Sequence, residues 1–398
     1  MRTQRFPLPP PLMTSEPGSF ARKTIVERKP QILREVSQAH PYPPEIQSAL
    51  RAFADEIASE PVRPLREDAG DAALWNGVWS QYEGRTWLDI PWYFAETFFY
   101  RRLIEIVDFY RPGPWQGVDP FAPQKVAEMD RALPTLLTIL EQGFATPEET
   151  FMSMIRDALW GNRADLSNRT ISARADEGLS DQGQGRLLID DRPRIWAHLV
   201  RERTARVDVI TDNSGLELAL DLRLIDFLVQ TGVAQVRIHL KRMPFFVSDA
   251  RMDDLEHTLD RLAGSAPPAA ALAERLRQAI EDGRIALHDD PFWSTCLTYR
   301  QMPLAVQQEL SASSLVLLKG DVNYRRLLDD RHWPHTARLA EIASSFPAPF
   351  VALRTLKGEL IVDLQPGQAE ALSVRDPTWM INGQRGLIQF VDGAGGHG

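Results

Sequence analysis

The chain has 398 residues, 43% hydrophobic and 25% charged, enough for a buried core in one large domain or two medium ones. A formal net charge of −9 argues against a nucleic-acid surface, which needs concentrated positive charge. No apolar run reaches the length of a membrane span, and the single cysteine, Cys296, cannot form an internal disulfide.

Residues 1–19 carry four prolines between Pro7 and Pro11, favour extended backbone over helix, and read as a flexible arm. They do not resemble a secretory leader, which with the lone cysteine predicts a cytoplasmic protein. Residues 20–200 read as mostly helical, with Lys29-Pro30 expected to interrupt the first helix and another helix over 44–59. Residues 71–110 are dense in aromatic rings. Trp75/Trp79 and Phe94/Phe98 stand four apart, the spacing of neighbours on a helix face, so these rings are expected to fill helix interfaces. Two more helical patterns cover 123–160 and end at the phrase ALWGNRADLS, residues 158–167.

From residue 201 the period changes. Short apolar runs predict strands at 207–210, 234–240, 284–287, 314–318, 350–353 and 360–364. Helical patterns at 215–229, 254–262, 269–280 and 304–310 alternate with them, which predicts a parallel α/β/α arrangement over 201–390. The remainder, 391–398, ends in GAGGHG and reads as a flexible tail.

In open α/β sheets, ligands gather beyond the carboxyl ends of the strands. Four such ends carry polar groups here: Asp212 and Asn213; Asp249; Lys319 and Asp321; and Arg354, Thr355 and Lys357. Each has a plain alternative, Asp212 as a helix cap, Asn213 as a turn residue and Asp249 as the cap of the next helix. Their convergence is the stronger signal. Asp212, Asn213 and Asp249 offer only oxygen ligands, which suit hard divalent cations, and no histidine or cysteine stands beside them to favour zinc. Gly215 opens a helix whose N-terminus favours an anion.

The segments TDNSGLELALDLRLIDFL, FFVSD, LLKGDVNYRRLLDD and ALRTLK, in that order, resemble the damage-control phosphatase family, in the branch named for acidic-residue methyltransferase 1. SFARKTIVERKPQIL and ALWGNRADLS resemble the same branch, and the likeness runs from about residue 18 to about 390. It implies a Rossmann-like α/β/α sandwich joined to a mostly helical N-terminal region. It also implies hydrolysis of phosphomonoesters, sugar phosphates such as fructose 1-phosphate among them, with Mn²⁺, Co²⁺ or Ni²⁺ and less generally Mg²⁺. Carried over by motif, the metal ligands are Asp212, Asn213 and Asp249. Lys319 and Asp321 belong to a Lys-Gly-Asp motif near the substrate, and Arg354, Thr355 and Lys357 to an Arg-Thr-x-Lys motif whose lysine contacts the phosphate. Asn162 lines the pocket, and Arg22 or Lys23 reaches in from the N-terminal segment.

These readings predict a Mn²⁺-dependent phosphatase acting on a small phosphorylated metabolite, with no nucleic-acid, membrane or obligate protein partner. Lys357, with Arg354, would clamp the phosphoryl oxygens, and Asp321 would orient or deprotonate the attacking water. Attack by Asp212 itself is disfavoured because Ser214 breaks the acid-x-acid spacing of another phosphatase superfamily. Two other classes stay open: an S-adenosylmethionine-dependent protein carboxyl methyltransferase, against which TDNSGLE offers only one glycine, and a metal-binding accessory without turnover.

Overall fold

Seven strands form one sheet in the computed structural model, which describes residues 7–66, 69–161, 186–202 and 205–393. They are β1 (Leu187–Asp190), β2 (Arg206–Ile210), β3 (Gln235–His239), β4 (Ile285–His288), β5 (Leu315–Lys319), β6 (Phe350–Thr355) and β7 (Gly386–Val391), in the order β1-β7-β6-β5-β2-β3-β4. The five strands from β6 to β4 are mutually parallel. β7 runs antiparallel to β6, and β1 parallel to β7.

β5 and β6 are buried along their whole length, which is why LVLLK and FVALRT read as nearly unbroken apolar runs. Alternate strand residues feed two cores. Val207, Val209, Leu315 and Leu317 pack under the helices Pro147–Trp160, Leu216–Gln230, Met252–Ala263 and Pro267–Glu281. Ile210, Val316, Leu318 and Phe350 face the helices Leu304–Ser311 and Gly320–Leu327. This is the expected α/β/α sandwich. The chain winds β2, β3, β4 outward on one side, then returns to place β5 on the other flank of β2. The crevice between the ends of β2 and β5 is therefore the switch point where such sheets bind ligands.

The aromatic-dense stretch builds a third core. Trp75, Trp87, Phe98, Phe99 and Tyr100 are wholly buried, with Phe94 and Phe98 stacked at 5.0 Å and Phe53 and Phe99 at 5.4 Å. These rings pack helices, as their spacing predicts.

Four local expectations need correction. Residues 11–14 are not a loose arm: Leu12 and Thr14 are buried, and the backbone of Leu12 bonds to Asp330 and Trp92. Their extended proline geometry suits a strap laid against other backbone. Lys29-Pro30 does not interrupt the helix, because the chain passes from Phe20–Lys23 through a π-helical turn, Thr24–Arg28, into Lys29–Ala39. Pro30 sits in the first turn after that widening, where a missing N–H costs least. β1 lies inside the span read as helical, and four residues are too few to show a period. Residues 360–364 are irregular, and all but Asp363 are buried; the carbonyl of Leu360 accepts from Arg354 and the Val362 N–H donates to Tyr324 Oη at 3.3 Å, so side chains satisfy part of this backbone.

Candidate active site

Asp212, Asn213 and Ser214 leave β2 and are buried at once. The segment after β3 folds back over them: Asn213 and Asp249 form an isolated antiparallel bridge, Ser214 N donates to Ser248 O at 2.7 Å, and Ala250 N to Asp212 O at 2.8 Å. Two strand ends 37 residues apart in sequence are thus stitched by backbone, which fixes Asp249 beside Asp212. Neither acid caps its helix; those positions belong to Gly215 and Arg251.

Asn213 Nδ2 donates to Asp212 Oδ2 at 2.6 Å and to Glu217 Oε2 at 2.8 Å, while its Oδ1 accepts from Ser248 Oγ. Burial, then the negative charges of Glu217 and Asp249, push the Asp212 carboxyl well above its ordinary range, against the pull of Lys241 and Lys319. Burial likewise raises Asp249 to about 6, although the Lys241 ammonium stands 3.3 Å away. Asp249 Oδ2 is the oxygen that faces the Lys241 ammonium. The local lysines thus leave this cluster short of positive charge. The two carboxylates supply oxygen ligands of the kind a hard divalent cation takes, while Asn213 turns its amide nitrogen to Asp212 and its oxygen to Ser248.

Lys319 is placed differently from expectation. It is buried, and its Nζ donates to Ala158 O at 2.6 Å and Glu217 Oε1 at 2.9 Å and pairs with Asp221 Oδ1 at 2.9 Å. Burial works against its charge, but Asp221 and Glu217 prevail and raise its pKa. Lys319 therefore ties three elements together behind the cavity instead of facing into it. The phrase ALWG has a matching role: a Cβ on Gly161 would lie 2.7 Å from the Glu217 Cα, so only glycine lets that helix end rest on the Glu217 backbone.

Asp321 and Arg354 meet each other. Arg354 Nε lies 2.6 Å from Asp321 Oδ1, and Arg325 Nε lies 2.5 Å from Oδ2. Burial opposes ionisation, yet the two guanidinium groups hold the Asp321 carboxyl down at about 2. So placed, Asp321 is a weak base. Arg354 is wholly buried and also donates to the carbonyls of Gly358 and Leu360, so it braces the loop that carries Lys357.

These elements enclose a cavity of about 30 Å³ at the switch point, lined by Leu159, Asp212, Glu217, Gly320, Asp321, Leu353, Thr355 and Lys357. The first turns of the helices Leu216–Gln230 and Gly320–Leu327 border it through Glu217 and Asp321. Gly320, at φ +82°, passes so close to Asp212 that a Cβ there would lie 2.0 Å from the carboxylate. Arg22 and Lys23 are not among the lining residues, and Asn162 lies outside the described residues.

Sequence reasoning missed several groups. Glu217 stood in plain view as an acid in a first helical turn; Lys241, Lys125 and Arg325 gave no local signal. Lys125 Nζ donates to the Asp249 carbonyl at 2.8 Å, and the Arg325 guanidinium lies 4.0 Å from the centre of the Trp92 ring. The helical region thereby braces both sides of the site.

The sequence matches the model of the damage-control phosphatase ARMT1-like domain over residues 17–372. The chain belongs to that family. The damage-control phosphatase ARMT1 of Danio rerio is 33% identical over 96% of this chain and 97% of its own length, and that of Homo sapiens is 30% identical over 96% and 98%. A crystal structure of a DUF89 family protein from Pyrococcus horikoshii shares the fold, with a TM-score of 0.50 and 14% identity over 93% of this chain and 97% of that one. Membership of the ARMT1-like family makes the chain a phosphatase of a generally metal-dependent kind. Among the described residues no helix is long and apolar enough to cross a membrane.

Proposed function

We propose that the chain hydrolyses a sugar phosphate, a fructose phosphate being the leading case, with Mn²⁺ ahead of Co²⁺, Ni²⁺ or Mg²⁺ held by Asp212, Asn213 and Asp249. The observation that carries this reading is that Asp212 and Lys357, from opposite flanks of the switch point, line one cavity. The cation supplies Lewis-acid polarisation of a phosphoryl oxygen and offsets charge developing there. Lys357 binds the non-bridging oxygens, and the N–H groups of the two bordering helix starts favour the same anion. Asp321, kept anionic by Arg325 and Arg354, accepts a hydrogen bond from the attacking water and orients it without taking its proton for long. Asn162 and Thr355 complete the substrate side in this proposal, and the site is assigned to the cytoplasm.

The test is phosphate release from a panel of sugar phosphates with each metal in turn and an EDTA control. Asp212→Ala and Asp249→Ala are expected to lose at least 100-fold in turnover and the thermal stabilisation that Mn²⁺ gives the parent. Parent-level turnover in either variant would remove these ligands from the proposal.

A further inference from the structure

One acidic side chain near the site has no part in the arrangement described so far. Glu128 projects from the helix Ala122–Leu140, and its Cγ, Cδ and Oε1 all lie 3.4 Å from where a Gly215 Cβ would stand. Gly215 caps the helix whose first turn brings Glu217 to the cavity. Glu128 is half-buried, and makes no hydrogen bond or ion pair among the described residues. Burial raises its pKa; Arg131 and Lys357 pull it down, and Glu217 pushes it up, so Lys357 and Glu217 both act on this carboxylate.

The position is held firmly. Lys125, one turn earlier on the same helix, is buried and bonds to Asp119 Oδ2 at 2.9 Å, Asp254 Oδ2 at 2.9 Å and the Asp249 carbonyl at 2.8 Å. The helix that carries Glu128 is thus moored to the metal-side loop. Half-buried, the carboxylate keeps part of its hydration and accepts from no protein donor among the described residues. It stands at Gly215, outside the residues that line the cavity, and as an anion it would repel a phosphoryl group, so a ligand that met it would do so with the part of the ester beyond the phosphate. There it can only accept hydrogen bonds while ionised.

We infer that Glu128 is a specificity-determining residue that accepts hydrogen bonds from hydroxyl groups on the alcohol portion of the ester, selecting polyhydroxylated phosphomonoesters over those without hydroxyls. This rests on the phosphatase reading above. A site built to hydrogen-bond a hydroxyl discriminates strongly against analogues that lack it, because its own polar group is then left unpaired.

The experiment compares the Mn²⁺-loaded full chain with Glu128→Gln and Glu128→Ala on a hexose monophosphate and on phenyl phosphate, with thermal melts as a folding control. Glu128→Ala is expected to lower kcat/KM for the hexose ester about tenfold more than for phenyl phosphate, chiefly through KM, a change of about 1.4 kcal/mol. Glu128→Gln, which keeps an acceptor oxygen, falls between. Equal loss on both esters, or no loss on either, overturns the assignment. Calorimetry of hexose monophosphate and inorganic phosphate separates the two proposals. If the parent releases no phosphate from any ester, the phosphatase reading fails alone, while Glu128 stands only if its alanine variant weakens hexose phosphate binding and spares inorganic phosphate.

Discussion

Gly320→Ala is the most incisive single change at this site. Gly320 holds φ at +82°, and a methyl group there would stand 2.0 Å from both Cγ and Oδ2 of Asp212. Carbon atoms reach favourable contact at about 3.5–4.0 Å, so the Asp212 carboxylate would have to retreat by roughly 1.5 Å. It has little room to do so. Asn213 Nδ2 grips it at 2.6 Å, and its backbone carbonyl is tied to Ala250 N at 2.8 Å. The positive φ itself adds roughly 1–2 kcal/mol of strain in an L-residue. A misplacement of about 1 Å at a reacting centre costs on the order of 100-fold in rate, equivalent to about 2.7 kcal/mol of barrier. Gly320→Ala is therefore expected to fold with a modestly lowered melting temperature while losing at least 100-fold in Mn²⁺-dependent phosphate release. Both are read on one preparation, by thermal melt and by phosphate assay. Turnover within threefold of the parent would refute the reasoning, since it would mean that the Asp212 carboxylate can move without chemical consequence.

Lys319→Met leaves Glu217 and Asp221 buried without their shared cation. Breaking such a pair from one side costs roughly 3–5 kcal/mol, so the urea midpoint should fall sharply, and a loss under about 1 kcal/mol would show the network to be slack. Asp321, depressed from 3.8 to about 2, stabilises the fold fully above its unfolded pKa and progressively less as pH falls through the folded value. The contribution is at most about 2 kcal/mol, since about a quarter of this carboxylate meets solvent. The stability gap between the parent and Asp321→Asn should accordingly narrow by that amount from pH 6 towards pH 2; a gap that stays constant counts against the ion-pair account.

The local sequence carried the sandwich and the order of its polar strand ends. β5 and β6 are legible because a strand covered on both faces must be apolar throughout, and TDNSG is legible because a chain leaving such a strand into a helix exposes its turn chemistry. β1 was hidden by its shortness, and β7 by lying beyond the alternating units as an antiparallel addition. Which partners the polar groups find is visible only in three dimensions. Lys319 reads as a substrate contact beside Asp321, yet its ammonium bonds to Ala158 O, 161 positions away. Arg354 reads as a phosphate clamp, yet it meets Asp321 from a neighbouring strand end. Lys125 bonds to the Asp249 carbonyl and Glu128 lies against Gly215, both from a helix more than 80 residues before Asp212. Periodicity reports which face of an element is buried, because burial acts on each residue through its own segment. It carries no record of which distant charge a buried side chain must find, and that choice of partner separates a residue that holds the site together from one that touches the substrate.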